Sequence, residues 1–289
     1  MNSSNTKSGV LYVVATPIGN LQDITRRALD VLESVSLVAA EDTRHSRKLL
    51  AHYGIGTPML ALHEHNERTA TGGLLRRLEA GADIALVSDA GTPLISDPGF
   101  HLVRTVREAG LQVVPVPGPS ALTAALSVAG LPTDRFTFEG FLPVKQAARR
   151  QRLLELKDTT VTLVLYESSH RIQASLGDIL AVFGADREAT FARELTKTFE
   201  TIRQASLAEL HAWLTADSDQ QKGEFVILVH GAAKPDATAI DAATERILTV
   251  LMAELPLRQA ASLTAQISGL GKNVLYEHAL RLKDRDQSG

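Results

Sequence analysis

Residues 88–99, with the sequence SDAGTPLISDPG, have the composition of a ligand-binding loop. The segment contains two glycines, two prolines and two aspartates, and it follows the apolar run 84–87. Glycine lets a backbone approach a ligand closely, and proline fixes a turn without adding a donor that must be paired. Because ligands of α/β proteins bind beyond the carboxyl ends of strands, the segment predicts a binding site.

Two further loops share this character. Residues 16–20 (TPIGN) and 115–120 (PVPGPS) follow or end other strand-like runs. In a parallel sheet, three such loops project from the same edge and form one pocket of main-chain donors and acceptors. This pocket suits a small polar cofactor with adenine and ribose parts.

Several other catalytic classes lack their motifs. The loop at 16–20 matches neither GxGxxG nor GxxxxGK[ST], which disfavours a dinucleotide dehydrogenase or a P-loop nucleotidase. HExxH and GxSxG are absent, and no cysteine is present to act as a nucleophile or metal ligand. His63 and His65 form the only tight histidine pair, and we expect a polar strand end there rather than a metal site.

Composition favours a cytoplasmic globular protein without a membrane partner. The N-terminus is polar, and no apolar run approaches the roughly 20 residues that span a bilayer. A net charge of −3 does not indicate nucleic acid, but cations cluster locally at 44–48 and 145–157. Taken alone, each cluster is more typical of a solvated helix face.

Hydrophobic periodicity predicts two α/β domains and a helical C-terminal extension. Over residues 10–130, strand-like and helical patterns alternate, as in a parallel sheet covered on both faces. Residues 131–232 predict a second domain with a mixed sheet and an antiparallel connection at 193–200. After a linker at 231–238, residues 239–286 are helical, with a break at 255–257 and a turn at 269–271.

Two aspartates in the first domain are expected to begin helices. Asp23 is predicted to cap the first helix. Asp97, followed by Pro98, is predicted to cap the helix from about residue 100 to Gly110.

Long motifs in this chain resemble a known family. In the first domain they are TPIGNLQDIT at 16–25, AEDTR at 40–44, the loop at 88–99 and PGPSA at 117–121. Further motifs are YESSHR at 166–171, RELTK at 193–197, GEFV at 223–226 and LPLRQA at 255–260. Together they resemble the tetrapyrrole-methylase-fold superfamily, and most of all its ribosomal RNA branch, the small-subunit rRNA (cytidine-2′-O)-methyltransferases.

The resemblance implies S-adenosylmethionine in a cleft between two α/β domains of a homodimer. It implies a cytidine of the 16S rRNA decoding region as substrate, within the small ribosomal subunit. Porphyrin-methylating members carry Gly-Asp-Pro where this chain has Ser88, Asp89 and Ala90, which favours the RNA branch. A small-molecule, tetrapyrrole-like methylase and a non-catalytic RNA-binding module remain as alternatives.

The resemblance also suggests roles for individual residues. The predicted cofactor-binding residues are Pro17, Asp89, Gly91, Thr92, Ser120, Ala121 and Tyr166. The candidates for proton transfer are Glu41, Asp42, Glu167, His170 and Lys197. The candidates for RNA binding are Arg44, Arg149, Arg150, Arg171 and Arg193. A network of salt bridges is an alternative role for any one of these charged residues.

Overall fold

The computed structural model describes residues 8–233 and 240–286. It contains two compact units, Met1–Ala232 and Ala233–Gly289. The polar segment 1–7 and most of the predicted linker, residues 234–238, lie outside the described residues.

The first unit begins with a five-stranded parallel sheet, as predicted. Its strands are β1 (Leu11–Val14), β2 (Leu37–Ala40), β3 (Met59–Ala61), β4 (Ile84–Val87) and β5 (Val113–Val116), in the order β3-β2-β4-β1-β5. Its helices are α1 (Arg26–Ser34), α2 (Thr43–His52), α3 (Glu67–Glu79), α4 (Phe100–Glu108) and α5 (Ala121–Val128). Every residue of β2 and β4 is buried, because helices cover both faces of the sheet.

The two faces of this sheet have separate apolar cores. On one face, Leu78 of α3 and Leu102 of α4 pack against alternate strand residues such as Leu86. On the other face, Leu32 of α1 and Leu50 of α2 pack against the intervening strand residues. The period-2 alternation of side chains along each strand produces this division.

A second five-stranded sheet follows in the same unit and is mixed. Its strands are β6 (Phe136–Phe141), β7 (Thr162–Ser168), β8 (Glu188–Arg193), β9 (Thr201–Ser206) and β10 (Glu224–Val229), in the order β6-β7-β10-β8-β9. Only β6 and β7 pair in parallel, and the predicted antiparallel connection joins β8 to β9. Its helices are α6 (Gln146–Leu156), α7 (Ile172–Phe183) and α8 (Leu207–Ala216).

Helix α5 connects the two sheets. It follows β5 of the first sheet, but its buried Ala125 belongs to the same apolar cluster as Val164, Ala192 and Leu228 of the second sheet. The two halves of the first unit therefore share a core at this helix.

Over residues 240–286, the second unit consists of three helices, in agreement with the helical pattern of the sequence. They are α9 (Ala242–Glu254), α10 (Leu257–Ser268) and α11 (Lys272–Asp286), packed around Leu248 and Leu275. The predicted break precedes α10, and α10 ends at Gly269, whose φ of 75° suits a left-handed cap. No described helix has the length and apolar composition to cross a membrane.

Both predicted helix caps are wrong. Asp23 lies in a 3-10 turn, and the Thr25 side chain instead accepts a hydrogen bond from the Ala28 amide at 3.1 Å. Helix α4 is capped by Gly99, whose φ is 123° and which offers no side chain. The Glu67 carboxylate of α3 accepts from the amides of His101 and Leu102, at 2.7 and 3.1 Å.

Candidate active site

The three predicted loops meet at one edge of the first sheet, because β4, β1 and β5 are neighbours. Thr16 and Gly91 exchange two main-chain hydrogen bonds, of 2.8 and 3.0 Å. The Thr92 hydroxyl donates to the Pro119 carbonyl at 3.0 Å. Gly91 has a φ of 80°, and a Cβ there would lie 3.3 Å from Ile18, so the tight junction requires glycine.

A cleft of about 360 Å³ lies between these loops and the second sheet. This volume is within the range of about 300–1,000 Å³ typical of small-molecule sites. The first sheet contributes loop residues, and the second contributes residues of β6, β7, β8 and β10. The lining residues that matter below are Gly91, Thr92, Asp97, Ser120, Ala121, Tyr166, Glu167 and Glu224.

Five of the seven predicted cofactor-binding residues line this cleft: Gly91, Thr92, Ser120, Ala121 and Tyr166. The ring of Tyr166 makes edge contacts with Phe138 and Phe141, at centroid distances of 4.9 and 5.8 Å. Burial raises the pKa of Tyr166 to about 12, so its hydroxyl stays neutral at physiological pH. Tyr166 therefore contributes an aromatic surface and one neutral hydroxyl to the lining of the cleft.

The other two, Pro17 and Asp89, are not among the residues that line the cleft. Asp89 Oδ1 accepts from the Asp42 amide at 3.0 Å, and the Asp89 amide donates to Glu41 Oε2 at 3.3 Å. These bonds fasten the 88–99 loop to the start of α2. Burial raises the pKa of Glu41, with smaller contributions from the neighbouring Asp89 and Asp42 charges.

Asp42 and Lys197, two of the candidates for proton transfer, are held in ion pairs. Asp42 pairs with Arg44 at 2.7 Å. Lys197 Nζ lies 2.8 Å from Glu194 and 2.9 Å from Glu224. Burial acts to lower the pKa of Lys197, but these hydrogen bonds outweigh it and raise the pKa, so Lys197 stays protonated.

Glu167 and His170 fall in different environments. Glu167 lines the cleft, but its carboxylate accepts from the Ser175 hydroxyl and the Ser168 amide and lies 3.2 Å from Arg171. His170 is exposed and is not among the lining residues. Both carboxylate oxygens of Glu167 therefore have a partner within the protein.

Asp97 is a cleft residue that the sequence interpretation assigned to another role. Burial raises the pKa of its carboxyl to about 6. A hydrogen bond from Ser88 lowers this pKa, and the charges of Glu41 and Asp89 raise it further. The residue was missed because Asp-Pro before an apolar run is typical of a helix start. Gly99, two residues after Asp97, is the residue that caps α4.

The loop after β1 lies in close contact with the connection between β8 and β9. Gly19 lies so close to the β8–β9 connection that a Cβ there would be 2.3 Å from Lys197 Cγ. Non-glycine residues with positive φ occur in the loops on both sides, at Leu94 and Ser96 and at Glu194 and Thr196. Such backbone conformations cost about 1–3 kcal/mol each and concentrate at functional sites.

The structure corrects two of the RNA-binding predictions. The Arg149 side chain is only 5% exposed and pairs at 2.6 Å with Asp178, which is 2% exposed. Arg193 is buried and donates to the carbonyls of Lys222 and Phe199, at 2.6 and 3.1 Å. Both guanidinium groups are therefore bound to partners inside the protein, because an unpaired buried charge would be costly.

The remaining three candidates differ in exposure. Arg171 is mostly buried and donates to the Leu142 carbonyl, and Arg150 is half exposed but pairs with Asp178 at 2.6 Å. Arg44 is 88% exposed at the start of α2. Further along α2, Arg47 and Lys48 are exposed and make no ion pair within the described residues.

Among the described residues, no three His, Asp or Glu side chains come together as a metal site. The rings of His63 and His65 lie 6.0 Å apart, beside the first turn of α3. The polar groups that the described residues contribute to the cleft are loop backbone, hydroxyl side chains and carboxylates.

Two α/β halves, one parallel and one mixed, with a cleft at the loop edge of the first sheet define the tetrapyrrole methylase fold class. A solved uroporphyrin-III C-methyltransferase from Thermus thermophilus, described as complexed with S-adenyl homocysteine, shares this fold with a TM-score of 0.53. It is 20% identical to this chain and covers 76% of it, with 97% of its own length matched.

The sequence relatives are much closer. A "Ribosomal RNA small subunit methyltransferase I" of Pseudomonas aeruginosa is 59% identical over 95% of this chain and 98% of its own. Its counterpart in Escherichia coli O157:H7 is 55% identical over 96% and 97%. The model of Tetrapyrrole (Corrin/Porphyrin) Methylases matches residues 10–211, and that of the RsmI C-terminal HTH domain matches 238–283.

The chain therefore belongs to the tetrapyrrole methylase family and, within it, to the group of ribosomal RNA small subunit methyltransferase I proteins.

Proposed function

We propose that this protein transfers a methyl group from S-adenosylmethionine to the ribose 2′-hydroxyl of a cytidine in the decoding region of 16S rRNA. The observation that carries the proposal is the 59% identity, over nearly the whole chain, to a relative named for ribosomal RNA methylation. The cleft supports it, because its position and lining suit a small polar cofactor presented to a large substrate.

The residues of the cleft fit S-adenosylmethionine. Loop backbone at Gly91, Thr92 and Ala121 offers main-chain donors and acceptors, and Ser120 adds a hydroxyl. Tyr166 provides an apolar ring face for the flat part of the cofactor. When bound, the cofactor supplies an activated methyl group on a positively charged sulfur.

The protein must then orient the substrate hydroxyl and bind the RNA around it. Orientation alone contributes up to about 7–11 kcal/mol in the best intramolecular cases. The first turns of α2 leave the cleft edge of the sheet and present Arg44, Arg47 and Lys48 to solvent. These cations are suited to the phosphates that flank an unstacked nucleotide.

We infer that the protein is a homodimer, as the family resemblance implies, and that it acts in the cytoplasm, as its composition favours. The substrate is proposed to be rRNA within the small ribosomal subunit.

The test is methyl transfer from radiolabelled S-adenosylmethionine to three acceptors: naked 16S rRNA, assembled small subunits and a porphyrinogen. We expect label on one cytidine ribose in an RNA-containing sample, located by nuclease mapping. Label on the porphyrinogen alone would favour a small-molecule methylase. No label in any sample, together with no binding of S-adenosylmethionine to the protein, would favour a non-catalytic RNA-binding module.

A matched pair of variants tests the cleft itself. Ala121→Phe fills the cleft and should abolish cofactor binding measured by calorimetry. Ala147→Phe makes the same change on the exposed side of α6 and should leave binding unchanged. Equal binding by the two variants would contradict the assignment of this cleft as the cofactor site.

A further inference from the structure

We propose that Asp97 is the proton acceptor of the methyl-transfer reaction. The inference rests on the proposed function and names the residue that receives the proton from the substrate hydroxyl. It is carried by the position of Asp97 in the cleft and by the lack of an ion pair to its carboxylate within the described residues.

Among the described residues, three carboxylates line the cleft. Two of them have partners in the protein: Glu167 is held by Ser175 and Arg171, and Glu224 is paired with Lys197. Asp97 is the one that makes no ion pair within the described residues. A carboxylate whose acceptor positions are not filled by cations is the one able to take a proton.

Asp97 is also released from helix capping. The carboxylate that accepts the first amides of α4 comes from Glu67, on another helix. An aspartate before a proline at a helix start usually fills that position itself. Because Glu67 takes over the structural task, the Asp97 side chain is left on the cleft side of the loop.

The loop holds Asp97 between the two sheets. The preceding Ser96 has a φ of 68° and packs against β6, where a Cβ on Gly140 would lie 3.1 Å from Ser96 Oγ. Gly140 follows a register shift in β6, where the pairing with β7 is irregular. Strained backbone that is supported on both sides is typical of a preorganised catalytic group.

The substrate hydroxyl gains the methyl group and loses its proton in this step. The hydroxyl oxygen forms a bond to the methyl carbon, the carbon–sulfur bond breaks, and its electron pair stays on sulfur. The hydroxyl proton passes to Asp97, which becomes a neutral acid and returns the proton to solvent after product release. The groups that face Asp97 are Glu41 and Asp89 from the first-sheet loops, Tyr166 from β7 and the Ser88 hydroxyl.

The first test is the pH dependence of single-turnover methylation. In the wild-type protein the rate should fall about tenfold per pH unit below pH 6, where Asp97 is protonated. Asp97→Asn should lose about 10²-fold at pH 7.5 and lose this acid limb. Asp97→Glu should recover part of the rate, and Glu108→Gln, which removes an exposed carboxylate of α4, should behave as wild type.

The second test is thermal stability and needs neither cofactor nor RNA. The pKa of Asp97 is higher in the folded protein than its ordinary value of 3.8, so its stabilising contribution is full below about pH 4 and is lost as pH rises through 6. Asp97→Asn should therefore raise the melting temperature by roughly 2–4 °C at pH 7.5 and leave it unchanged at pH 4.

The outcomes separate this inference from the proposed function. If wild-type protein methylates rRNA and Asp97→Asn does so at an equal rate, the proton-acceptor role is wrong while the function stands. A lower melting temperature of Asp97→Asn at both pH values would make Asp97 a structural residue and overturn the inference. If the wild-type protein methylates no RNA, the proposed function fails, whatever the stability result.

Discussion

Helices α2 and α6 carry the same number of cations but use them differently. Each has three lysine or arginine residues within its bounds. In α6, Arg149 and Arg150 converge on Asp178 of α7, and Arg152 pairs with Glu139 and Glu155. In α2, only Arg44 is paired among the described residues, and its partner is the neighbouring Asp42.

This difference shows that the number of cations in a segment does not report the charge available to a partner. The basic residues of α6 neutralise carboxylates and fasten α6 to α7, whereas those of α2 face solvent beside the cleft. We therefore propose that α2 binds RNA and that α6 serves packing, and three variants test this proposal.

The largest expected effect is on folding and belongs to α6. Arg149→Met should lower the free energy of unfolding by about 3–5 kcal/mol, because it leaves the buried Asp178 carboxylate without its most buried partner. Urea denaturation measures the change. The control is Arg104→Met, which breaks an exposed pair on α4 and should cost at most about 0.5 kcal/mol. Equal costs for the two variants would contradict a packing role for α6.

The next effect is on RNA binding and belongs to α2. Replacing Arg47 and Lys48 together by glutamate should weaken rRNA affinity by roughly tenfold or more at physiological salt and reduce the salt dependence. Filter binding across a salt series gives both quantities, and stability should change little because both side chains are exposed.

The matched control for this double variant lies on α3. Arg76 and Arg77 are exposed in its last turn, at the opposite edge of the sheet from the cleft. Their reversal to glutamate makes the same charge change and should leave RNA affinity close to wild type. If both double variants weaken binding equally, the effect is one of net charge and α2 has no special role.

The smallest effect is expected for Arg150→Ala. This side chain is half exposed, and Asp178 keeps its bonds to Arg149 and Gln146. We expect a stability loss below about 1 kcal/mol and an RNA affinity within about twofold of wild type. A tenfold loss of affinity in the filter-binding assay would return α6 to the RNA-binding surface.

The fold was largely predictable because its signals are local. Alternating apolar patterns predict the strands and helices of residues 10–130, and the apolar run 84–87 coincides with β4. The meeting of three Gly/Pro loops follows from parallel topology, since adjacent strands bring their carboxyl ends together. These features depend on sequence patterns a few residues long.

The roles of individual charged residues were not predictable, because their partners are distant in sequence. Arg149 is separated from Asp178 by 29 residues, and Glu67 caps a helix that begins 33 residues later. A charge motif alone does not reveal which carboxylate a guanidinium will meet. The cap at α4 and the burial of Arg149 both required the packed structure.

The bond from Glu67 to α4 has a consequence for transferring this loop between proteins. The segment 88–99 provides no side-chain cap for α4, since the carboxylate that accepts from the first amides of this helix belongs to Glu67 of α3. A graft of the loop into a related scaffold must therefore include Glu67. Without it, we expect the first turn of α4 to fray or Asp97 to take over the cap. To transfer this part of the site, α3 and α4 must therefore be moved together with the loop 88–99.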